Sequence, residues 1–156
     1  MNLRPLALAL ALAVTALGSA IPQTADACGG YETPEASVYR AVARHFQALD
    51  ARDRAAVLAV WKPGATVVTE GTPVLVEPIE RAATRWVAAK GPVVFHVADV
   101  EATGDSAVAY VAVEFDGQNI EETLEFAPND AGQWVIAGQT SRTVGTHARV
   151  SAVLPK

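Results

Sequence analysis

Cysteine is nearly absent from this sequence, in which Cys28 is the only thiol among 156 residues. A single thiol cannot form a disulfide within the chain, so packing and hydrogen bonds alone must hold the fold together. The three histidines, at positions 45, 96 and 147, show no His-x-x-x-His spacing, and no carboxylate stands at a familiar ligand spacing. The sequence therefore predicts no internal disulfide and no metal site.

Other absent patterns exclude further classes of function. The chain has no glycine-rich phosphate loop and no serine nucleophile motif, so no cofactor is expected. Its 12 basic residues are scattered among 17 acidic ones, for a net charge of −5, which argues against nucleic acid as a partner. The length favours one globular domain.

The first 27 residues have the pattern of a secretory signal peptide. Arg4 makes the start positive, residues 6–17 form an apolar run, and Ala25-Asp26-Ala27 fits the small-x-small cleavage rule. A membrane-spanning helix needs roughly 20 apolar residues, so this run is too short to span. We expect cleavage after Ala27, no membrane span, and a periplasmic or secreted protein.

The position of Cys28 beside this cleavage site raises the question of lipid attachment. A lipoprotein signal has a large apolar residue three positions before the cysteine, where this chain has Ala25. A lipid anchor is therefore the less favoured alternative to a free thiol. Residues 28–33 are expected to be a flexible lead-in and 34–144 the folded domain, while 145–156 either extend the last strand or form a disordered tail.

The pattern changes from helical to alternating along the mature chain. Thr33-Pro34-Glu35 predicts a helix start, and Asp53 predicts the cap of a second helix through Trp61. The predicted elements that follow are a strand over 65–69, a helix over 77–90 and strands over 93–102, 106–116, 119–126 and 133–143. Short turns such as Asp116-Gly117 indicate antiparallel pairing, hence an α+β fold.

This order resembles the nuclear transport factor 2-like superfamily, which includes ketosteroid isomerase and SnoaL-like proteins. The likeness spans residues 35–143 and is strongest in 43–53, in Ala65-Thr66-Val67-Val68 and in Gly132-Gln133-Trp134-Val135-Ile136. It implies a cone-shaped, mostly antiparallel curved sheet with three helices packed on its concave side. It also implies a pocket inside the cone.

The resemblance also implies functional positions. His45 aligns with the isomerases' tyrosine, Glu122 with their donor acid and Thr69 with their base. Because a threonine hydroxyl cannot take a proton from carbon at neutral pH, steroid isomerisation is not expected.

Glu122 interrupts the apolar strand face formed by Ile120, Leu124 and Phe126, where burial would raise its pKa. Its other reading is a carboxylate that reaches water or an arginine. His45, on the apolar stripe of the first helix, is either a hydrogen-bonding site residue or a core histidine. The further candidates for the pocket are Trp61, Thr69, Trp86, His96, Tyr110 and Glu114.

Two functions follow from these candidates. The first is an exported module that binds a small apolar or amphipathic molecule; the alternative is a cofactor-free lyase, isomerase or cyclase that uses Glu122 and His45. Val111, Val113 and Phe115 are assigned to the sheet face opposite the helices. This second apolar face predicts a homodimer through the sheet, as the resembled family often forms.

Overall fold

The computed structural model describes residues 33–146. The predicted signal peptide, lead-in residues 28–32 and tail residues 147–156 lie outside the described part. The elements are the helices α1 (Pro34–Asp50), α2 (Arg54–Ala59) and α3 (Ile79–Ala88), and the strands β1 (Trp61–Glu70), β2 (Leu75–Pro78), β3 (Val93–Thr103), β4 (Ser106–Phe115), β5 (Gln118–Pro128) and β6 (Trp134–Thr146).

The first two helices begin where their capping residues predict. The Thr33 hydroxyl accepts a hydrogen bond from the Ala36 N–H at 3.3 Å. The Asp53 carboxylate accepts two, from the N–H groups of Ala55 and Ala56, each at 3.0 Å. These side chains satisfy backbone donors that the first helical turn leaves without partners, which confirms the predicted starts.

Tertiary pairing moves the boundaries around β1. The second helix ends at Ala59 instead of Trp61, because Trp61 already pairs with Ile136 and the Val60 carbonyl accepts a 2.9 Å hydrogen bond from Ile136 N–H. The third helix begins at Ile79 instead of Glu77. The residues before it form β2, an unpredicted strand that pairs antiparallel with β1.

The six strands form one open sheet in the order β2-β1-β6-β5-β4-β3. Only the β1–β6 pair is parallel. Helix α1 packs on β3, β4 and β6, while α3 packs on β1 and β2. The predicted α+β class, with three helices and a mostly antiparallel sheet, is confirmed.

The face of the sheet that meets the helices carries the core. On β4 the buried side chains are Ala107, Ala109, Val111 and Val113. The assignment of Val111 and Val113 to the opposite face is therefore wrong. The assignment of Phe115 to that face is also wrong, because Phe115 lines an inner cavity. The burial of β4 alternates as its sequence predicts, but the alternation does not say which side meets the helices.

A β-bulge changes the face presented by β6. Glu125 pairs with Gly138 and Phe126 with Ile136, so Ala137 is an extra residue opposite β5. Because side chains alternate along a strand, one extra residue reverses the direction of every side chain that follows. Ile136 and Gln139 are consequently both buried although they are three residues apart.

Candidate functional site

A cavity of about 390 Å³ lies between the last turn of α3, the β4–β5 turn and the inner face of β1, β5 and β6. This volume is at the small end of the range for ligand pockets. Eight of its 13 lining residues are polar or charged, so the expectation of an apolar pocket is corrected. The lining residues are Thr69, Arg85, Trp86, Ala88, Ala89, Phe115, Asp116, Gln118, Ile120, Glu122, Gln139, Ser141 and Thr143.

Glu122 projects from β5 into this cavity, on the same face as the fully buried Leu124. Burial raises the pKa of Glu122 to about 7, while a side-chain hydrogen bond with Gln139 lowers it by a smaller amount. Its Oε2 atom is buried and has no hydrogen-bond partner among residues 33–146. The group is thus an acid that carries its proton for part of the time at neutral pH and can donate it to a hydrogen bond.

Gln139 lies beside Glu122 at the floor of the cavity and is only 4% exposed. The bulge at Ala137 turns it inward. Its Oε1 atom, like Glu122 Oε2, is buried without a hydrogen-bond partner in the described part of the chain. A buried polar atom without a partner costs about 1–3 kcal/mol, so these two oxygens are the lining atoms that gain most from a hydrogen bond to a bound molecule.

Two hydroxyl groups continue the polar floor. Ser141 on β6 is paired with Glu122 on one side and with Thr69 on the other. Its Oγ atom lies 3.4 Å from Thr69 Oγ1 and donates to the Val68 carbonyl at the same distance. The strand register therefore places Thr69, Ser141 and Glu122 in one row across the sheet.

Arg85, from the last turn of α3, supplies the cation of the cavity. Its guanidinium forms an ion pair with Glu77 on β2, whose side chain is almost fully buried. The Arg85 side chain itself is 54% exposed. A buried carboxylate thus holds an accessible guanidinium at the cavity wall. The remaining wall contains the apolar groups of Trp86, Phe115 and Ile120.

His45 does not reach this cavity. It is 1% exposed, and its Nδ1 accepts a 3.2 Å hydrogen bond from the indole N–H of Trp61. Burial lowers the pKa of His45 to about 3, so the imidazole is neutral at physiological pH. The proposed acid–base pairing of His45 with Glu122 is therefore corrected, and His45 has the contacts of a core histidine. Trp61, which is also buried, does not line the cavity either.

Three other pocket candidates lie on the outer face of the sheet. His96, Tyr110 and Glu114 are exposed and point away from the helices. Tyr110 and Glu114 alternate with the buried core residues of β4, and His96 on β3 pairs with the exposed Ala112, so none of the three lines the cavity. Of the predicted pocket set, Thr69 and Trp86 line the cavity together with Glu122.

Several residues that line the cavity are not among the candidates predicted from the sequence. Gln139, Ser141 and Thr143 face inward only because of the bulge, which no residue pattern announced. Arg85 could have been suspected from its place next to Trp86 on the third predicted helix. Its partner Glu77 falls within the predicted helix over 77–90, whereas the structure places it on strand β2.

Within residues 33–146, no three His, Cys, Asp or Glu side chains lie close enough together to hold a metal ion. None of the helices in the same range is both long and apolar enough to cross a membrane.

No protein-family model matches the sequence, and no curated protein matches it. Solved structures do. A nuclear transport factor 2-like protein of unknown function from Silicibacter pomeroyi is 19% identical, with a TM-score of 0.64 over 69% of this chain and 93% of its own.

Two further structures are similar. A nuclear transport factor 2-like protein of unknown function from Shewanella baltica is 12% identical, with a TM-score of 0.64 over 70% of this chain and 93% of its own. A ketosteroid isomerase-like protein from Erwinia carotovora atroseptica is 15% identical, with a TM-score of 0.61 over 74% of this chain and 99% of its own. At these identities the likeness shows the fold and not the activity. The domain formed by residues 33–146 therefore has the nuclear transport factor 2-like fold.

Proposed function

We propose that this domain is an exported binding module for a small polar organic molecule that carries a hydroxyl group. The observation that carries the proposal is the pair of buried oxygens without partners, Glu122 Oε2 and Gln139 Oε1, at the cavity floor. A protonated Glu122 offers a hydrogen, while the Gln139 oxygen requires one. A hydroxyl group both accepts and donates, so one hydroxyl satisfies both atoms.

Binding is favoured over catalysis because the cavity offers one acid without a recognisable base. His45 is sealed in the core, and Thr69 has only a hydroxyl of ordinary acidity. The remaining ionisable lining residues, Asp116 and Arg85, lie in an exposed turn and in an ion pair. No reaction is assigned to this arrangement.

The hydroxyl requirement can be tested with pairs of alcohols and their methyl ethers. Benzyl alcohol and cyclohexanol can donate to Gln139, whereas benzyl methyl ether and cyclohexyl methyl ether can only accept. One neutral hydrogen bond contributes about 0.5–1.5 kcal/mol, so each alcohol should bind roughly threefold to tenfold more tightly than its ether. Titrations followed by the NMR signal of the Gln139 side-chain amide would locate the binding.

Substitutions test which side chain produces the preference for the alcohol over the ether. Gln139→Met should make alcohol and ether bind equally, while Gln47→Met, the same change on an exposed helical surface, should not. Glu122→Gln keeps a donor and should retain binding at pH 8, where the native carboxyl group has lost its proton. Equal binding of alcohol and ether to the native protein would refute the proposal.

Export is proposed from the pattern of residues 1–27. Mass spectrometry of the protein recovered from the producing cells would show a mature chain that begins near Cys28. A chain that retains Met1 would contradict export, and an added diacylglycerol would indicate the lipid-anchored alternative.

We also propose a homodimer through the outer face of the sheet. Its support is the exposed apolar surface of Val94 and Tyr110, which are 55% and 42% exposed. Light scattering should give twice the chain mass at micromolar concentration. The Tyr110→Glu variant should give the mass of a single chain. Tyr39→Glu is the matched control, since Tyr39 is 44% exposed on α1. A native monomer would contradict the dimer.

A further inference from the structure

The ion pair between Arg85 and Glu77 has an arrangement that the fold alone does not require. Glu77 is 5% exposed and sits on a four-residue edge strand, where its carboxylate faces the helix side of the sheet. A carboxylate in such a place is costly unless a cation accompanies it. An apolar residue would fill this position of β2 without that cost.

The pair leaves much of the arginine available. A guanidinium has five N–H donors in a planar fork, and the hydrogen bond to Glu77 uses one of its terminal nitrogens. Among residues 33–146, Arg85 has no other hydrogen bond or ion pair. Its side chain is more than half exposed and lines the cavity. Glu77 therefore fixes the orientation of a guanidinium whose other donors remain free.

We propose that Arg85, positioned by Glu77, binds a carboxylate group of the ligand, so that the molecule held in this cavity is a small hydroxycarboxylate. This inference rests on the proposed function, since it adds an anionic group to the hydroxyl that Glu122 and Gln139 receive.

The remaining lining residues fit such a molecule. Thr69 places a hydroxyl donor on the cavity floor, where it can meet a carboxylate oxygen, while the Ser141 hydroxyl donates to the Val68 carbonyl. Trp86, Phe115 and Ile120 cover the carbon skeleton. The other anion of the cavity, Asp116, lies in the exposed β4–β5 turn, where water screens its repulsion.

A carboxylate is favoured over a phosphate by charge. The planar fork of an arginine can hold either anion with two parallel hydrogen bonds. A phosphate dianion would bring a second negative charge toward a guanidinium that Glu77 already partly neutralises. Inorganic phosphate is thus a suitable competitor in the test.

The experiment uses three probe series at pH 6, where Glu122 is mostly protonated. The hydroxycarboxylates are 3-hydroxybenzoate, 4-hydroxybenzoate and mandelate, which differ in the spacing of their two groups. Their amides (3-hydroxybenzamide, 4-hydroxybenzamide and mandelamide) lack the charge, and benzoate and phenylacetate lack the hydroxyl. Calorimetry gives each Kd on the full purified chain.

At least one hydroxycarboxylate should bind about tenfold to hundredfold more tightly than its own amide, as expected for a hydrogen bond to a charged group. Arg85→Gln should abolish this preference for the charged form. Arg81→Gln, an exposed arginine one turn earlier on α3, should leave it intact. Because Arg85→Gln strands a buried carboxylate, the double variant Glu77→Gln/Arg85→Gln gives the same comparison with a neutral pair.

The outcomes separate this inference from the proposed function. Equal affinity for acid and amide in all three pairs, with the hydroxyl preference intact, overturns the role of Arg85 and leaves the hydroxyl site standing. Equal affinity of every hydroxycarboxylate and its counterpart without the hydroxyl, which is benzoate for the hydroxybenzoates and phenylacetate for mandelate, overturns the proposed function. A preference for acids that survives in the double variant, or displacement by equimolar phosphate, also overturns the assignment of a carboxylate to Arg85.

Discussion

Replacing Glu122 by glutamine should change how the stability of this protein depends on pH. This substitution keeps the shape of the side chain but removes its carboxyl group. Among the cavity's carboxyl groups, Glu122 is the one whose ionisation is made less favourable by burial. Burial raises the pKa of Glu122 from 4.5 to about 7 in the folded protein. The unfolded chain, in which the group is hydrated, should ionise near the lower value.

The direction of the pH dependence follows from whether the folded or the unfolded state holds the Glu122 proton. Below pH 4.5 both states keep it, so Glu122 contributes no pH dependence. Between pH 4.5 and about 7 the folded protein retains a proton that the unfolded chain has lost, so the free energy of unfolding falls as the pH rises. Above pH 7 both states are ionised and the loss is complete.

The magnitude comes from the same interval. Each pH unit between the two pKa values changes the free energy of unfolding by about 1.4 kcal/mol, so the full loss is about 3 kcal/mol. Glu122→Gln has no proton to lose. Its advantage over the native protein should therefore grow by about 3 kcal/mol between pH 4.5 and pH 8.

Urea unfolding at several pH values from 4.5 to 8 measures this difference. The measured quantity is the difference in unfolding free energy between the native protein and the variant, because His45 gives a pH dependence of stability in the opposite direction. Its pKa is lowered by burial, so its contribution to stability rises with pH up to about 6.5 and cancels from the difference. Glu125→Gln, an exposed change on the same strand, is the control. A difference between native protein and Glu122→Gln that stays constant with pH would refute the reasoning.

Three further predictions concern the scaffold. Trp61→Phe leaves His45 Nδ1 buried without its 3.2 Å donor and should lower the free energy of unfolding by about 1–3 kcal/mol; an unchanged urea midpoint would show that the bond contributes nothing. Asp53→Ala removes both cap hydrogen bonds of α2 and should cost about 1 kcal/mol in the same assay, whereas a loss below measurement would argue against the cap. Leu124→Ala opens a void in the fully buried core and should lower stability by about 2–5 kcal/mol, and a loss under 1 kcal/mol would contradict its place there.

Local patterns determined much of this protein. The caps at Thr33 and Asp53, the turn at Asp116-Gly117 and the period-two strands each act through neighbours in the chain, so the sequence suffices to find them. The alternation along β5 likewise placed Glu122 among apolar neighbours on one face. Burial among these neighbours raises the pKa of Glu122, which is the direction that the sequence predicts.

Tertiary structure alone decided which faces and residues form the site. Strand β2 exists because β1 offers it an edge, and the bulge at Ala137 turns Gln139 inward through a register that depends on β5. Alternation divides the residues of a strand into two sets but does not say which set meets the helices. The sequence alone therefore predicts Tyr110 in the cavity and Val111 outside it, and the structure has the reverse burial. These features arise from contacts between distant segments, whose free energies no local window of residues contains.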